Sequence, residues 1–379
     1  MDLKQIGTHI QGLASLEATR APVVSCYVDL EDARWRSGFD QQVERWQAAF
    51  PPGECRRWFE QAVVQIKNHL RRPTLVGTRG LALFARGGPG HFFFPLGFRL
   101  PVPFSFEVGC FPHIYRLVAM RDNFNRFAAL VCTRDEIRIL GVSMGTVVQQ
   151  VCDRRMEAAR RALCRRGERP SAGWRRRIVA DAVAMLLPFM RQGGYRHLIL
   201  AGEAEWLAVA RQAMPRRLAS RILDTVPACG SDALMDIVRA AAFSFAEHEE
   251  EESAAMVEWL CEGLGRDGWA VAGLEASREV LSKALAECLI LDEHFCPEPG
   301  YECNVCGGRL PPGSPRSACL SCGSGLCAPY DEREAVVRAA VLGGAHIEIV
   351  NHSDALMRLG GVGCLLRPVP ARYLYPVAA

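Results

Sequence analysis

Four cysteines stand in two closely spaced pairs, Cys303-Asn304-Val305-Cys306 and Cys319-Leu320-Ser321-Cys322, with twelve residues between the pairs. Two such knuckles bring four thiolates together tetrahedrally, which is the ligand set of a structural zinc ion (Zn2+). All four positions are filled by sulfur, so none is left for the water that a catalytic zinc needs. Gly307 and Gly323 directly follow the second cysteine of each pair, where a residue free to take positive φ lets the backbone turn around the metal. The chain has sixteen cysteines. In a reducing compartment the clustered ones read as metal ligands rather than disulfides, and Cys296 and Cys327 read as bystanders.

The second concentration of chemistry is arginine. Arg154, Arg155, Arg160, Arg161, Arg165, Arg166, Arg169, Arg175, Arg176 and Arg177 face only Glu157 and Glu168, a local balance of +8 in 24 residues. The net charge of the whole chain is just +3, so this density is a property of the segment. It is an electrostatic footprint for the phosphates of RNA. The plainer alternative is a solvated helix face in an arginine-rich protein, since lysine occurs only at Lys4, Lys67 and Lys283. Pro170, Ser171 and Gly173 make the middle of the segment a loop. Glu247, Glu249, Glu250, Glu251 and Glu252 form an acidic run that reads as a solvated helix end rather than a magnesium site. His91, His113, His197 and His294 have no serine, cysteine or aspartate at a recognisable catalytic spacing, and no P-loop, dinucleotide fingerprint or nucleophile elbow occurs.

The elements that must position these residues follow from periodicity. A length of 379 residues predicts two or three domains. In a first domain, 1–118, Val23 to Val28 reads as a buried strand. Apolar positions between Phe39 and Leu70 read as a helical hairpin broken by Pro51-Pro52-Gly53, and Leu81 to Phe84 with His91 to Leu96 as a β-hairpin. The proline-rich stretch from Pro95 to Pro112 leads out of this domain. In a second, 119–253, strands are expected at Phe127 to Val131, Glu136 to Leu140 and Thr146 to Val151. A helix through Trp174, Ile178, Ala182, Met185 and Phe189 then closes at Gly193-Gly194. A strand at His197 to Ala201, another at Ile222 to Val226 and a helix from Asp232 follow. In a third, 254–379, helices at Met256 to Leu264 and Glu275 to Ala286 precede a strand at Cys288 to Leu291. The cysteine-rich insertion, 296–327, comes next. Asp331 and Glu334 then form a capping-box pattern that opens a helix closed by Gly343-Gly344, before strands at His346 to Val350 and Val362 to Leu366. The alternation predicts a mixed α/β architecture. No stretch has the ~20 consecutive apolar residues of a membrane helix, and residues 1–20 lack the pattern of a signal peptide, so a cytoplasmic protein without membrane attachment is expected.

Over residues 120 to 379 this arrangement resembles the superfamily of eukaryotic and archaeal class-one peptide-chain release factors and the ribosome-rescue protein Pelota, in its divergent bacterial branch. The resemblance is carried by Glu334-Ala335-Val336-Val337 to Ala340, Gly344-Ala345-His346-Ile347-Glu348-Ile349-Val350, Leu359-Gly360-Gly361-Val362-Gly363 and Arg367. It is carried further by His197-Leu198-Ile199-Leu200-Ala201-Gly202, standing where the family has a strand leading into a glycine-rich turn. It implies a ribonuclease-H-like middle domain and a kink-turn-binding-like C-terminal α/β sandwich bearing the zinc ribbon. It also implies the ribosome and ribosomal RNA as partners, possible delivery by a translational GTPase, and no role on DNA.

Two departures shape the functional expectation. Release factors carry a Gly-Gly-Gln tripeptide on the loop of the second domain, whereas the corresponding loop here reads Arg169-Pro170-Ser171-Ala172-Gly173-Trp174-Arg175. Gln192-Gly193-Gly194 has the letters reversed, at a helix end. The Asn-Ile-Lys-Ser type of decoding motif is missing as well. The expectation is therefore a non-catalytic factor that occupies the tRNA site in ribosome rescue, stalling or hibernation. The alternatives are a peptidyl-tRNA hydrolase with a divergent loop, needing a water-orienting polar group near Ser171, and a module for another structured RNA.

Overall fold

In the computed structural model the described residues are 6–74, 76–98, 100–123, 126–143, 146–152, 171–265, 268–298, 300–303, 309–310, 319, 322–323 and 327–367. The chain divides into two compact units, one formed by Met1–Asp122 with Met256–Ala379, the other by Asn123–Ala255.

In the first unit, helix α1 (Ile6–Ala14) precedes strand β1 (Val23–Asp29), helices α2 (Trp35–Ala49) and α3 (Glu54–Leu70), and strands β2 (Gly80–Arg86), β3 (Phe92–Phe98) and β4 (Ser105–Gly109). The sheet order is β3-β2-β1-β4, antiparallel throughout. Alternate β1 residues Val24, Cys26 and Val28 face Phe39, Val43, Phe59, Val63 and Ile66 of the helical hairpin, so the two periodicities meet in one core. The proline-rich stretch does not simply lead away. Its central residues form β4, on the edge of the sheet, where a missing amide donor in the flanking prolines disturbs no ladder on the open side. Helix α4 (Tyr115–Asn123) follows.

The second unit holds β5 (Arg126–Cys132), β6 (Ile137–Ser143), β7 (Thr146–Cys152), α5 (Ala172–Gly193), β8 (His197–Gly202), α6 (Ala204–Ala213), α7 (Arg216–Ala219), β9 (Ile222–Pro227) and most of α8 (Leu234–Gly265). The sheet runs β7-β6-β5-β8-β9, an antiparallel meander joined to a parallel β5-β8-β9 set. Along β5, Ala128, Leu130 and Cys132 pack with α5 and α6, while Phe127, Ala129 and Val131 pack with Ile237, Val238, Ala241 and Phe245 of α8. A strand buried on both faces reads as a continuous apolar run, which is how β5 and β8 read in the sequence. Gly193 and Gly141 leave the room that the Tyr195 side chain fills, since a Cβ at Gly193 would lie 1.8 Å from its ring and one at Gly141 1.9 Å from its hydroxyl. Gly194 closes α5 with φ of 72° in the left-handed region.

Strand β10 (Ala270–Ala272), helix α9 (Leu274–Ser282), β11 (Ala286–Asp292), β12 (Gly300–Cys303), β13 (Arg309–Leu310), β14 (Cys327–Tyr330), α10 (Glu332–Gly343), β15 (His346–Val350), α11 (Asp354–Arg358) and β16 (Val362–Leu366) complete the first unit. They form a sheet β10-β16-β11-β15 and a small sheet β13-β12-β14. Two expectations are corrected. The helices expected to start at Asp232 and Met256 are one unbroken helix, α8, because the acidic run between them lacks any helix breaker and glutamate is a good helix former. The helix expected through Ala286 ends at Ser282, and Ala286 already pairs with Leu366 in the sheet.

Candidate functional site

Strand β12 delivers Cys303, and Cys319 and Cys322 follow β13 in the chain. Their sulfurs lie within 4.8 Å of one another, and Cys303 Sγ to Cys322 Sγ is 3.6 Å. With zinc–sulfur bonds of ~2.3 Å, a tetrahedron has edges of roughly 3.8 Å, so the spacing suits thiolates around one ion. Gly323 has φ of 72° and its amide donates to the Cys319 carbonyl at 2.8 Å, the tight turn expected of a knuckle. Cys303 and Cys319 are buried while Cys322 is exposed. Cys306 and Gly307 lie outside the described residues.

Of the arginine segment, Arg154, Arg155, Arg160, Arg161, Arg165, Arg166 and Arg169 lie outside the described residues. Ser171 is the N-cap of α5, its hydroxyl oxygen accepting from the Trp174 amide at 3.3 Å. Arg175 turns inward. Its Nη1 is 2.7 Å from Glu205 and its guanidinium sits 5.1 Å from the centroid of Trp206. Arg176 and Arg177 are exposed. The structure therefore separates three arginines that the sequence grouped: one is spent on packing and two are presented to solvent.

A set of buried ionisable groups lies where α10 meets α4, all within the first unit. Asp331 caps α10, accepting from Arg333 at 2.9 Å and Glu334 at 3.4 Å. Glu334 does not complete the expected capping box. Its carboxylate instead accepts from the amides of Ile114 at 2.9 Å and Tyr115 at 2.8 Å, the first amides of α4. The donors that open α4 have no partner in their own helix, and the protein supplies one from more than 200 positions away. Burial, then the neighbouring Asp331, pushes the Glu334 carboxyl up to about 8, against the two amide donors and Arg333. His113 is pushed down to about 4 by burial, and its Nδ1 lies 3.9 Å from Glu334. Arg333 stacks 4.1 Å from the Tyr115 ring centroid. Arg338 stacks 3.7 Å from that of Phe111 and donates to the Ala14 and Leu16 carbonyls. At the other end of α4, Asp122 accepts from the Ile349 amide at 2.7 Å. Burial and then Glu348 push its carboxyl up to about 7. Sequence spacing showed the Asp331 cap but not the rest of this junction, because the contacts from Glu334 to α4, from Arg338 to Ala14 and Leu16 and from Asp122 to Ile349 are remote along the chain.

The histidines also change meaning. His113 belongs to the junction. His197 packs edge-on against Phe245 in the second unit, at 5.8 Å between ring centroids. His294 lies beside His352 and the buried Asp292.

Residues 112–251 match the family model described as bacterial archaeo-eukaryotic release factor family 10. The resemblance to a divergent bacterial branch of the class-one release-factor and Pelota superfamily holds over this segment, and the C-terminal residues 334–367 that first suggested it lie outside the match. Among solved structures, the chain is similar to the crystal structure of the archaeal translation termination factor aRF1, at 16% identity and a TM-score of 0.28, covering 97% of this chain and 98% of that one. It is also similar to archaeal Pelota in a model of ribosome-bound Pelota and ABCE1, at 11% identity and a TM-score of 0.40, covering 96% and 94%. A third is Dom34 of S. cerevisiae, described as a translation termination-like factor interacting with Hbs1, at 10% identity and 0.40, covering 77% and 82%. Superpositions this loose transfer no site residues. No curated protein matches the sequence.

Proposed function

We propose that this protein is a translation factor that binds the ribosome in the tRNA site without catalysing peptide release, acting in rescue, stalling or hibernation. The observation that carries the reading is the family match over residues 112–251 on a chain whose second-domain loop lacks Gly-Gly-Gln. The strand order β7-β6-β5-β8-β9, an antiparallel meander extended by two parallel strands with helices on both faces, supports a ribonuclease-H-like middle domain. The parallel β11-β15 pair with its flanking helices supports the kink-turn-binding-like reading of 254–379. In this proposal the cysteine cluster holds one structural zinc. When bound, the ion supplies cross-linking of the β12–β14 insertion, and Cys303, Cys319 and Cys322 with Cys306 hold it as thiolates.

The arginine segment supplies affinity through phosphate contact and base stacking, which need no catalytic residue. Against the hydrolase alternative stands the use of the loop's polar groups. The Ser171 hydroxyl caps α5 and Arg175 is held by Glu205 and Trp206, so neither is presented to orient a water. A translational GTPase, which the resemblance of the sequence implies, is the proposed delivery partner. The test is co-sedimentation with ribosomes, together with a peptidyl-tRNA release assay on stop-programmed ribosomes. Binding without release is expected. Release above background that is lost in Ser171→Ala would favour the hydrolase, and failure to co-sediment would turn the reading toward another RNA.

A further inference from the structure

We propose a second metal site, distinct from the cysteine cluster, in which Asp292, His294 and His352 bind a divalent transition cation with zinc-like preferences. The three side chains each offer one ligand atom within 4.8 Å of the others, and they come from two turns. Strands β11 and β15 are parallel neighbours whose pairing ends at Asp292↔Val350. Both turns therefore leave the sheet at the carboxyl ends of adjacent parallel strands, where open α/β sheets characteristically place ligands.

The two turns are tied to each other before any ion arrives. The Glu293 amide donates to the Val350 carbonyl at 2.8 Å, and the Ser353 amide to Asp292 Oδ2 at 2.8 Å. The His294 amide donates to Asp292 Oδ1 at 2.9 Å. Asp292 is thus held rigidly, and its side chain is 0% exposed. Among the described residues no lysine or arginine nitrogen lies within ion-pairing distance of this carboxylate, whose only such partner is the His294 imidazole. A buried charge is normally paired or bound to metal.

Distances agree with coordination. His294 Nδ1 lies 3.4 Å from Asp292 Oδ1. Two ligands at ~2.0–2.1 Å from a tetrahedral zinc are roughly 3.3 Å apart. His294 and His352 are mostly exposed, with ring centroids 5.7 Å apart, and the three ligand atoms lie within 4.8 Å of one another. Asp354 Oδ1 is 3.3 Å from His352 Nε2. That places a second carboxylate where it can orient a ligating imidazole, a common outer-shell arrangement. Two imidazoles and one carboxylate select zinc, cobalt, nickel or copper over magnesium or calcium, which prefer all-oxygen sites. Binding would pin the turn after β11 to the turn after β15.

The full chain, dialysed against a mild chelator to remove loosely held metal, is titrated with Co2+ and followed by visible absorption. Wild type, His294→Ala/His352→Ala and Cys303→Ser/Cys322→Ser are compared. We expect ligand-field bands without thiolate charge transfer in wild type, retained in the cysteine variant, and Co2+ affinity weakened at least about tenfold in the histidine variant. Both histidines are exposed, so that variant should keep the metal-free thermal midpoint of wild type. In wild type, and not in the histidine variant, a Zn2+-dependent rise of the midpoint is expected, with no such rise from Mg2+. Equal Co2+ uptake by wild type and the histidine variant overturns the site. Bands that disappear in a cysteine variant that is still folded at the titration temperature, with the histidines present, do so as well.

Discussion

Glu334 is the residue on which most of the junction turns. Its carboxyl caps the first amides of α4 from a different helix, so Glu334→Leu should leave two buried donors unmet, at about 1–3 kcal/mol for each. The pH dependence has a definite sign. A carboxyl raised from 4.5 to about 8 binds its proton more tightly in the folded state. Its contribution is therefore complete below about pH 4.5 and lost as pH rises through 8. Asp122, raised from 3.8 to about 7, acts in the same direction. His113, lowered from 6.5 to about 4, acts oppositely: its contribution is present above pH 6.5 and lost as pH falls through 4. Stability measured by denaturant titration should therefore decline from pH 6.5 to 8. Glu334→Gln should flatten that decline, and a slope unchanged in the variant would show that another group sets it.

At the scale of elements, two devices separate backbone effects from packing effects. Gly344 ends α10 with φ of 67°, and its amide reaches back to Val341 while that of Ala345 reaches Ala340. A Cβ there would meet nothing within 4 Å, so Gly344→Ala isolates the cost of the left-handed backbone. That cost is roughly 1–2 kcal/mol. The thermal midpoint should fall by about 2–4 °C for each kcal/mol in a unit of this size. The arginine segment preceding α5 is the second case. Changing Arg165, Arg166 and Arg169 together to Gln should flatten the salt dependence of ribosome binding by roughly two to three units, at ~0.7–0.9 per phosphate contact. The same change at Arg216, Arg217 and Arg221 serves as control. Equal slopes for wild type and the first variant would remove the segment from the interface.

For the molecule as a whole, metal content gives a direct measurement. The thiolate cluster should retain one zinc per chain through dialysis, and Cys303→Ser/Cys322→Ser should lose it together with stability of the first unit. A freshly purified chain without zinc would remove the metal from the account. Among the described residues no helix is long and apolar enough to cross a membrane.

Much of the fold was legible because its information is local. The apolar run of β1, the broken periodicity of the α2–α3 hairpin, the glycine that closes α5 and the alternation around β5 each act within a few residues. The clustering of Cys303, Cys319 and Cys322 was legible from the CxxC spacing, while Cys306 lies outside the described residues. What escaped was whatever depends on contact between remote segments. The Asp331–Glu334 spacing matched a capping box, yet packing against α4 offered the Glu334 carboxyl oxygens two amides without a partner in their own helix, and they accept from those instead. His294 had no partner in the sequence because His352 is 58 positions away, and only the parallel pairing of β11 with β15 sets their turns side by side. Local steric and hydrophobic preferences wrote the elements, and sheet register with the burial of charge decided which distant side chains meet.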